Sequence, residues 1–177
     1  MIEQIKSPRF IVLSLLVLCA ALTRALPFFI PNTWNFTAIG ALAIFAGSQF
    51  GNSRFAFIIP VMAMAIADLF IGDGFSPIVY MGFIVMVACG VFIRNNVNPT
   101  SVTLSSIVGT IAFYLITNFA YLYSPTLYPH NLTGIVTSYI MALPFLRNML
   151  IGDAFYSLLL FGAYYAFKKQ YPVLTIK

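Results

Sequence analysis

The amino-acid sequence predicts an all-α integral membrane protein, about six transmembrane helices packed in one bundle. Three observations predict it. Hydrophobic residues make up 61% of the chain and charged residues 7%, against about 25% charge in a soluble domain, so a water-facing surface cannot be covered with polar side chains. The mean hydropathy is +0.96. The apolar residues also fall into runs close to the ~20 that a helix needs to cross a bilayer. The 177 residues are filled by these runs and short loops, which leaves one transmembrane domain over 1–177 and no room for a second.

The first run covers about 10–26 and stops at Pro27. It reads as a retained helix, because a cleaved secretory signal would not lead straight into further apolar runs. A shorter second run, 37–50, follows the polar and aromatic Asn32-Thr33-Trp34-Asn35. The third covers 55–71, the fourth 77–93 and the fifth 102–123, after which comes the polar loop SPTLYPHNLTG. The last apolar stretch, 135–167, is too long for one crossing of ~30 Å of hydrocarbon at ~1.5 Å per residue. Pro144, Arg147 and Asp153 interrupt it. The expectation is therefore a short outer helix over 136–146 and a sixth span over 148–167.

Orientation follows from the basic residues. With an even number of spans, Lys6, Arg9, Arg54, Arg94, Lys168, Lys169 and Lys177 share one side, which predicts a cytoplasmic face carrying both termini. The net charge of +5 is then a topology signal. No basic stripe lies on one helix face, as a nucleic-acid partner would require.

The remaining ionisable residues gather at the opposite end: Arg24, Asp68, Asp73, His130, Arg147 and Asp153. Trp34, Tyr80, Asn118, Tyr121, Tyr128 and Tyr139 lie on the same side. An ionisable group inside a membrane helix costs about 2.5–3.5 kcal/mol on insertion scales, so it faces a partner or a wet cavity. Arg24 and Asp68 read either as an ion pair lining an outward cavity or as a staple between the first and third spans. Arg147 and Asp153 are six residues apart and are not helical neighbours; they bracket the start of the last span, where Asp153 also suits the positive end of the helix dipole. The turn DLFIGDGF at 68–75 has too few oxygen ligands for calcium. His130, the single histidine, reads as a loop residue or as a neutral metal ligand, and no other metal site is expected. Ala21 with Ala25, and Ala63 with Ala67, form small-xxx-small pairs that permit close helix packing, within the bundle or against a partner. Cys19 and Cys89 read as small buried hydrophobes. There is no HExxH, GxSxG, P-loop or Cys/His cluster, so neither an enzyme nor a nucleotide-handling protein is expected.

Several stretches taken together carry a resemblance: WNFTAIGALAIFAG at 34–47, ADLFIG at 67–72, VY at 79–80, TNFAYL at 117–122, YPHNLTGIVTSYIMALPFLRNMLIGDAFY at 128–156 and LLLFGAYY at 158–165. The PFLRN-xxx-GD segment is the most specific. The chain resembles a small family of bacterial membrane proteins related to the S components of energy-coupling-factor vitamin transporters, solitary cobalamin-type members included. The resemblance implies a six-helix S-component-like fold in the bacterial inner membrane, taking up a vitamin or similar small molecule from the outer face. It implies Trp34, Asn35, Asp68, Tyr80, Asn118, His130 and Arg147 as ligand contacts, with Arg24, Asp68, Arg147 and Asp153 bracing the cavity. It further implies a membrane coupling protein docking on Ala21 and Ala25. Cobalamin enters as a substrate rather than a cofactor. The cysteine that ligates cobalt in those relatives has no outer counterpart, because Cys89 is expected toward the inner half of the fourth span; His130 is the outer alternative. A second reading is an accessory subunit of a larger membrane complex, without a ligand of its own.

Overall fold

A computed structural model describes residues 6–30, 35–72 and 74–175. Trp34, Asp73 and Lys177, all named above, lie outside the described residues. Helix α1, Pro8–Ala21, is capped by Ser7, whose hydroxyl accepts from the Phe10 N–H at 3.2 Å. A 3-10 turn, Leu22–Ala25, carries the chain into the short α2, Leu26–Phe29. Pro27 does not end the helical path as expected. It occupies the first turn of α2, where the missing N–H has no helical partner to lose. Helix α3 is Ile39–Gln49, α4 is Ser53–Ile71, and α5 is Pro77–Phe92. Helix α4 ends on Gly72, whose φ of 75° suits a residue without a side chain. Helix α6, Pro99–Thr117, begins with a reciprocal capping box between Asn98 and Ser101. Among the described residues there are helices and turns and no strand.

The last apolar stretch is not divided as expected. Helix α7 runs unbroken from Leu132 to Gln170, 39 residues, with Pro144 inside it. A proline removes one intrahelical hydrogen bond, but buried residues on both sides of it, Ser138 and Ala142 before and Met149 and Gly152 after, hold the two halves against the same neighbours. The start is fixed by Asn131, whose side chain accepts from the Gly134 N–H at 2.9 Å. At ~1.5 Å per residue α7 is about 58 Å long, so it outruns the hydrocarbon core.

Four helical segments are long and apolar enough to cross a membrane: Pro8–Ala25, α4, α6 and α7. Helices α3 and α5 are apolar but have 11 and 16 residues, short of the ~20 that cover the bilayer core. The reason for the shortness of α3 is its position. Every residue from Gly40 to Ser48 is buried, and α3 packs against α1, α4, α5, α6 and α7. It is a central helix wrapped by the others, and it is apolar on all sides because no side faces water. Its closest approach is to α5, where glycines meet: a β-carbon on Gly47 would overlap the Val87 carbonyl, and one on Gly90 would lie 2.8 Å from the Ile44 Cα. Across the helix, Phe45 packs edge-on against Phe161 and Tyr164 of α7.

The exposed ends of α3 are closed by side chains from elsewhere. Arg94, just past α5, donates to the Gly47 carbonyl at 3.2 and 3.3 Å, and Arg9 of α1 donates to the Gln49 carbonyl at 2.8 Å. These carbonyls form the negative end of the helix dipole, where cations are favourable. Two of the basic residues behind the expected orientation therefore also terminate the core helix.

Candidate functional site

At the end of the bundle opposite Arg9, Arg94 and Lys168 lies a cavity of 510 Å³. Its wall is built from the 3-10 turn after α1, the approach to α3, the start of α5, the C-terminal part of α6 and the middle of α7. Arg24, Asn35, Thr37, Ser76, Tyr114, Thr117, Asn118 and Tyr123 supply its polar atoms, between Ile39, Ile78, Phe113, Phe145 and Met149. Among the described residues Arg24 is the single formally charged one on this wall. Asn35 is held at φ 60°, a left-handed conformation that asparagine tolerates better than most residues. Asn118 donates its amide to the Tyr114 carbonyl and to the Thr117 hydroxyl at 2.9 and 3.2 Å.

Behind the wall, Arg24 and Asp68 form an ion pair at 2.7 Å, with side chains 16% and 7% exposed. Tyr80 of α5 donates its hydroxyl to the second Asp68 oxygen at 2.7 Å. Asp68 is thus engaged from two directions, and it joins α4 to α5 and to the turn after α1. The arrangement fixes the guanidinium at the cavity edge. Asp68 and Tyr80, expected as ligand contacts, stand one layer back from the wall and position Arg24.

Below the cavity floor lies a second buried carboxylate. Asp153 is 2% exposed. It accepts from the Ala41 N–H at 3.0 Å and from the Thr110 hydroxyl at 2.5 Å. The expectation that Asp153 opens its own helix is corrected: α7 begins 21 residues earlier, and Asp153 instead caps the N-terminus of α3. The physical reason is that the first amides of α3 have no intrahelical partner and lie where water is excluded, so a carboxylate from another helix satisfies them. Gly40 makes room, since a β-carbon there would overlap the carboxylate. Asp153 is one turn beyond Met149, and Gly152 lies against the Thr37 backbone, so this lock is the base on which the cavity floor rests.

The remaining expected residues are not drawn into the cavity wall. Arg147 is exposed on α7 and makes no ion pair with Asp153. His130 is exposed in the loop before α7; its ring stacks on Tyr121 at 4.4 Å and its Nε2 meets the Tyr123 carbonyl at 3.1 Å. This braces the loop, and His130 has no metal-ligating neighbours among the described residues. Ala21 is 1% exposed within the bundle, so its face is spent on internal packing. The 3-10 turn from Leu22 also takes Ala25 off the i,i+4 face it would share with Ala21 in a continuous helix. Ala63 and Ala67 are likewise buried. Conversely, Thr110, Gly40, Tyr114 and Thr117 escaped the sequence reading, because small and aromatic residues in apolar runs look like ordinary packing.

The match to known sequences is broad in coverage. Residues 4–174 match a family of unknown function, DUF6580, and the chain belongs to that family. No curated protein and no solved structure matches it.

Proposed function

We propose that this protein binds a small molecule at the outer face of a membrane for uptake, in the manner of an S component. In this reading six helices, α1 and α3 to α7, thread the bilayer with both termini cytoplasmic, and the membrane is the bacterial inner membrane. One observation carries the proposal: a 510 Å³ cavity whose wall holds one fixed cation, Arg24, and several uncharged donors and acceptors. The volume falls within the ~300–1,000 Å³ of small-molecule sites. A lone guanidinium buttressed from behind by Asp68 favours a ligand bearing a carboxylate, with Tyr114, Tyr123 and Phe113 offering ring surface to its body. The cavity volume favours a ligand of ordinary vitamin size over a corrinoid. The cytoplasmic orientation is supported by Arg9, Arg54, Arg94 and Lys168 lying at one end of the bundle.

The test is purification of the full chain in mild detergent, followed by mass spectrometry of what is released on denaturation. The reading expects a stoichiometric acidic small molecule that is lost at unchanged yield in the paired variant Arg24→Met with Asp68→Leu, which strands no buried charge. An empty protein that co-purifies stoichiometrically with a larger membrane complex would overturn it in favour of an accessory subunit.

A further inference from the structure

The membrane-facing side of the bundle carries a second concavity, larger than the first and unlike it in chemistry. Helices α6 and α7 part toward the basic end and leave a groove of 1020 Å³. Its upper part is mostly apolar, formed by Ile107, Leu150, Leu158 and Phe161, with the hydroxyls of Ser106 and Ser157 set among them. Its lower end is polar, formed by Gln49, Asn98 and Lys168. The Lys168 ammonium is held 5.7 Å over the Tyr164 ring, at the groove mouth. Gly162 looks into open space: a β-carbon there meets nothing within 4 Å.

We propose that this groove seats one acyl chain of an anionic phospholipid from the leaflet at the basic end of the bundle. The direction of its polarity carries the inference. A cation and two amide side chains stand where a headgroup would lie, and a hydrocarbon wall continues from them toward the bilayer centre. Lys168 adds charge complementarity to a surface already enriched in basic residues, which attract anionic lipid near the membrane surface. The bound chain would close the gap between α6 and α7 without crossing the lock at Asp153, so this lipid site is independent of the outer cavity and its ligand.

The test uses the full chain in nanodiscs of dioleoyl phosphatidylglycerol and dioleoyl phosphatidylcholine in equal amounts, with retained lipid counted by native mass spectrometry. We expect one phosphatidylglycerol retained in roughly tenfold preference over phosphatidylcholine. Gly162→Leu fills the groove from a position with free space and should abolish retention, with Gly162→Ala as the folded control. Lys168→Gln should keep a bound lipid and lose the headgroup preference. Unchanged retention in Gly162→Leu, no headgroup preference in the wild type, or a second polypeptide seated on α6 and α7 would each overturn the proposal.

Discussion

Asp153 and Gly40 divide one small volume between them: the carboxylate of the first stands where the second would carry a β-carbon. The contact is possible because Gly40 has no side chain, and it is favourable because the Ala41 amide at the start of α3 donates to the carboxylate. With Arg94 and Arg9 at the other end, the central helix has an acid at its positive pole and two bases at its negative pole. All three come from outside α3.

Loss of this lock should be costly. Asp153→Ala orphans the Ala41 amide and the Thr110 hydroxyl, and a buried donor left unpaired costs about 1–3 kcal/mol. We expect a clear fall in the thermal midpoint of the detergent-solubilised protein, read by fluorescence-detected size exclusion after heating. Gly40→Ala should fall too. The double variant should lose less than the sum of the two, by about 0.5–3 kcal/mol, as residues in contact do. Strict additivity would show that the two residues do not share this space.

Thr110 provides a finer probe. Thr110→Ser keeps the hydroxyl that Asp153 accepts from and should retain most of the stability, whereas Thr110→Val matches the shape and removes the donor. A difference of about 1–3 kcal/mol between them is expected when a buried acceptor loses its donor. Equal midpoints would remove Thr110 from the lock.

The pair behind the cavity should behave differently from the lock. Asp68→Ala strands the Arg24 guanidinium, and breaking a buried pair costs about 3–5 kcal/mol. Replacing both partners, Arg24→Met with Asp68→Leu, should recover much of that stability, since well-packed apolar substitutes for buried pairs are often neutral. The double variant should nevertheless stay empty of ligand. Recovery of both stability and ligand retention would show that Arg24 has no part in binding.

Accessibility labelling tests the orientation. In a background without Cys19 and Cys89, Arg54→Cys should react with an impermeant maleimide only after the membrane is opened. Thr126→Cys, in the exposed loop before α7, should react in intact cells. The reverse pattern would place the cavity on the cytosolic side.

What the sequence makes legible, and what it does not, follows from the range of each interaction. Hydropathy is local, so the apolar segments and most of their ends can be read off; Pro77, Pro99 and the asparagine caps mark starts within a few residues. Arg24 with Asp68 was legible as a pair because isolated charges in apolar runs have few partners to choose from. The role of Asp153 was not, since its partners lie 112 and 43 residues away in sequence and one of them is a bare backbone amide. Pro144 misled for a related reason. Its helix-breaking tendency is intrinsic, whereas the burial of Ser138 and Met149 on either side of it, where α7 stays continuous, is tertiary. The central place of α3 was hidden as well, because a helix surrounded by helices and a helix surrounded by lipid have the same hydropathy.

The order of translation gives the lock a further meaning. The ribosome makes residues 40 and 41 long before it makes residue 153, so the amides that open the core helix wait through three later helices for their acceptor. A nascent chain arrested before that point carries a half-finished segment with bare donors in a dry environment, a ready mark for quality-control proteases. Completion of the fold is therefore signalled by the arrival of a single carboxylate, and maturation in the membrane should proceed as a late, all-or-none event.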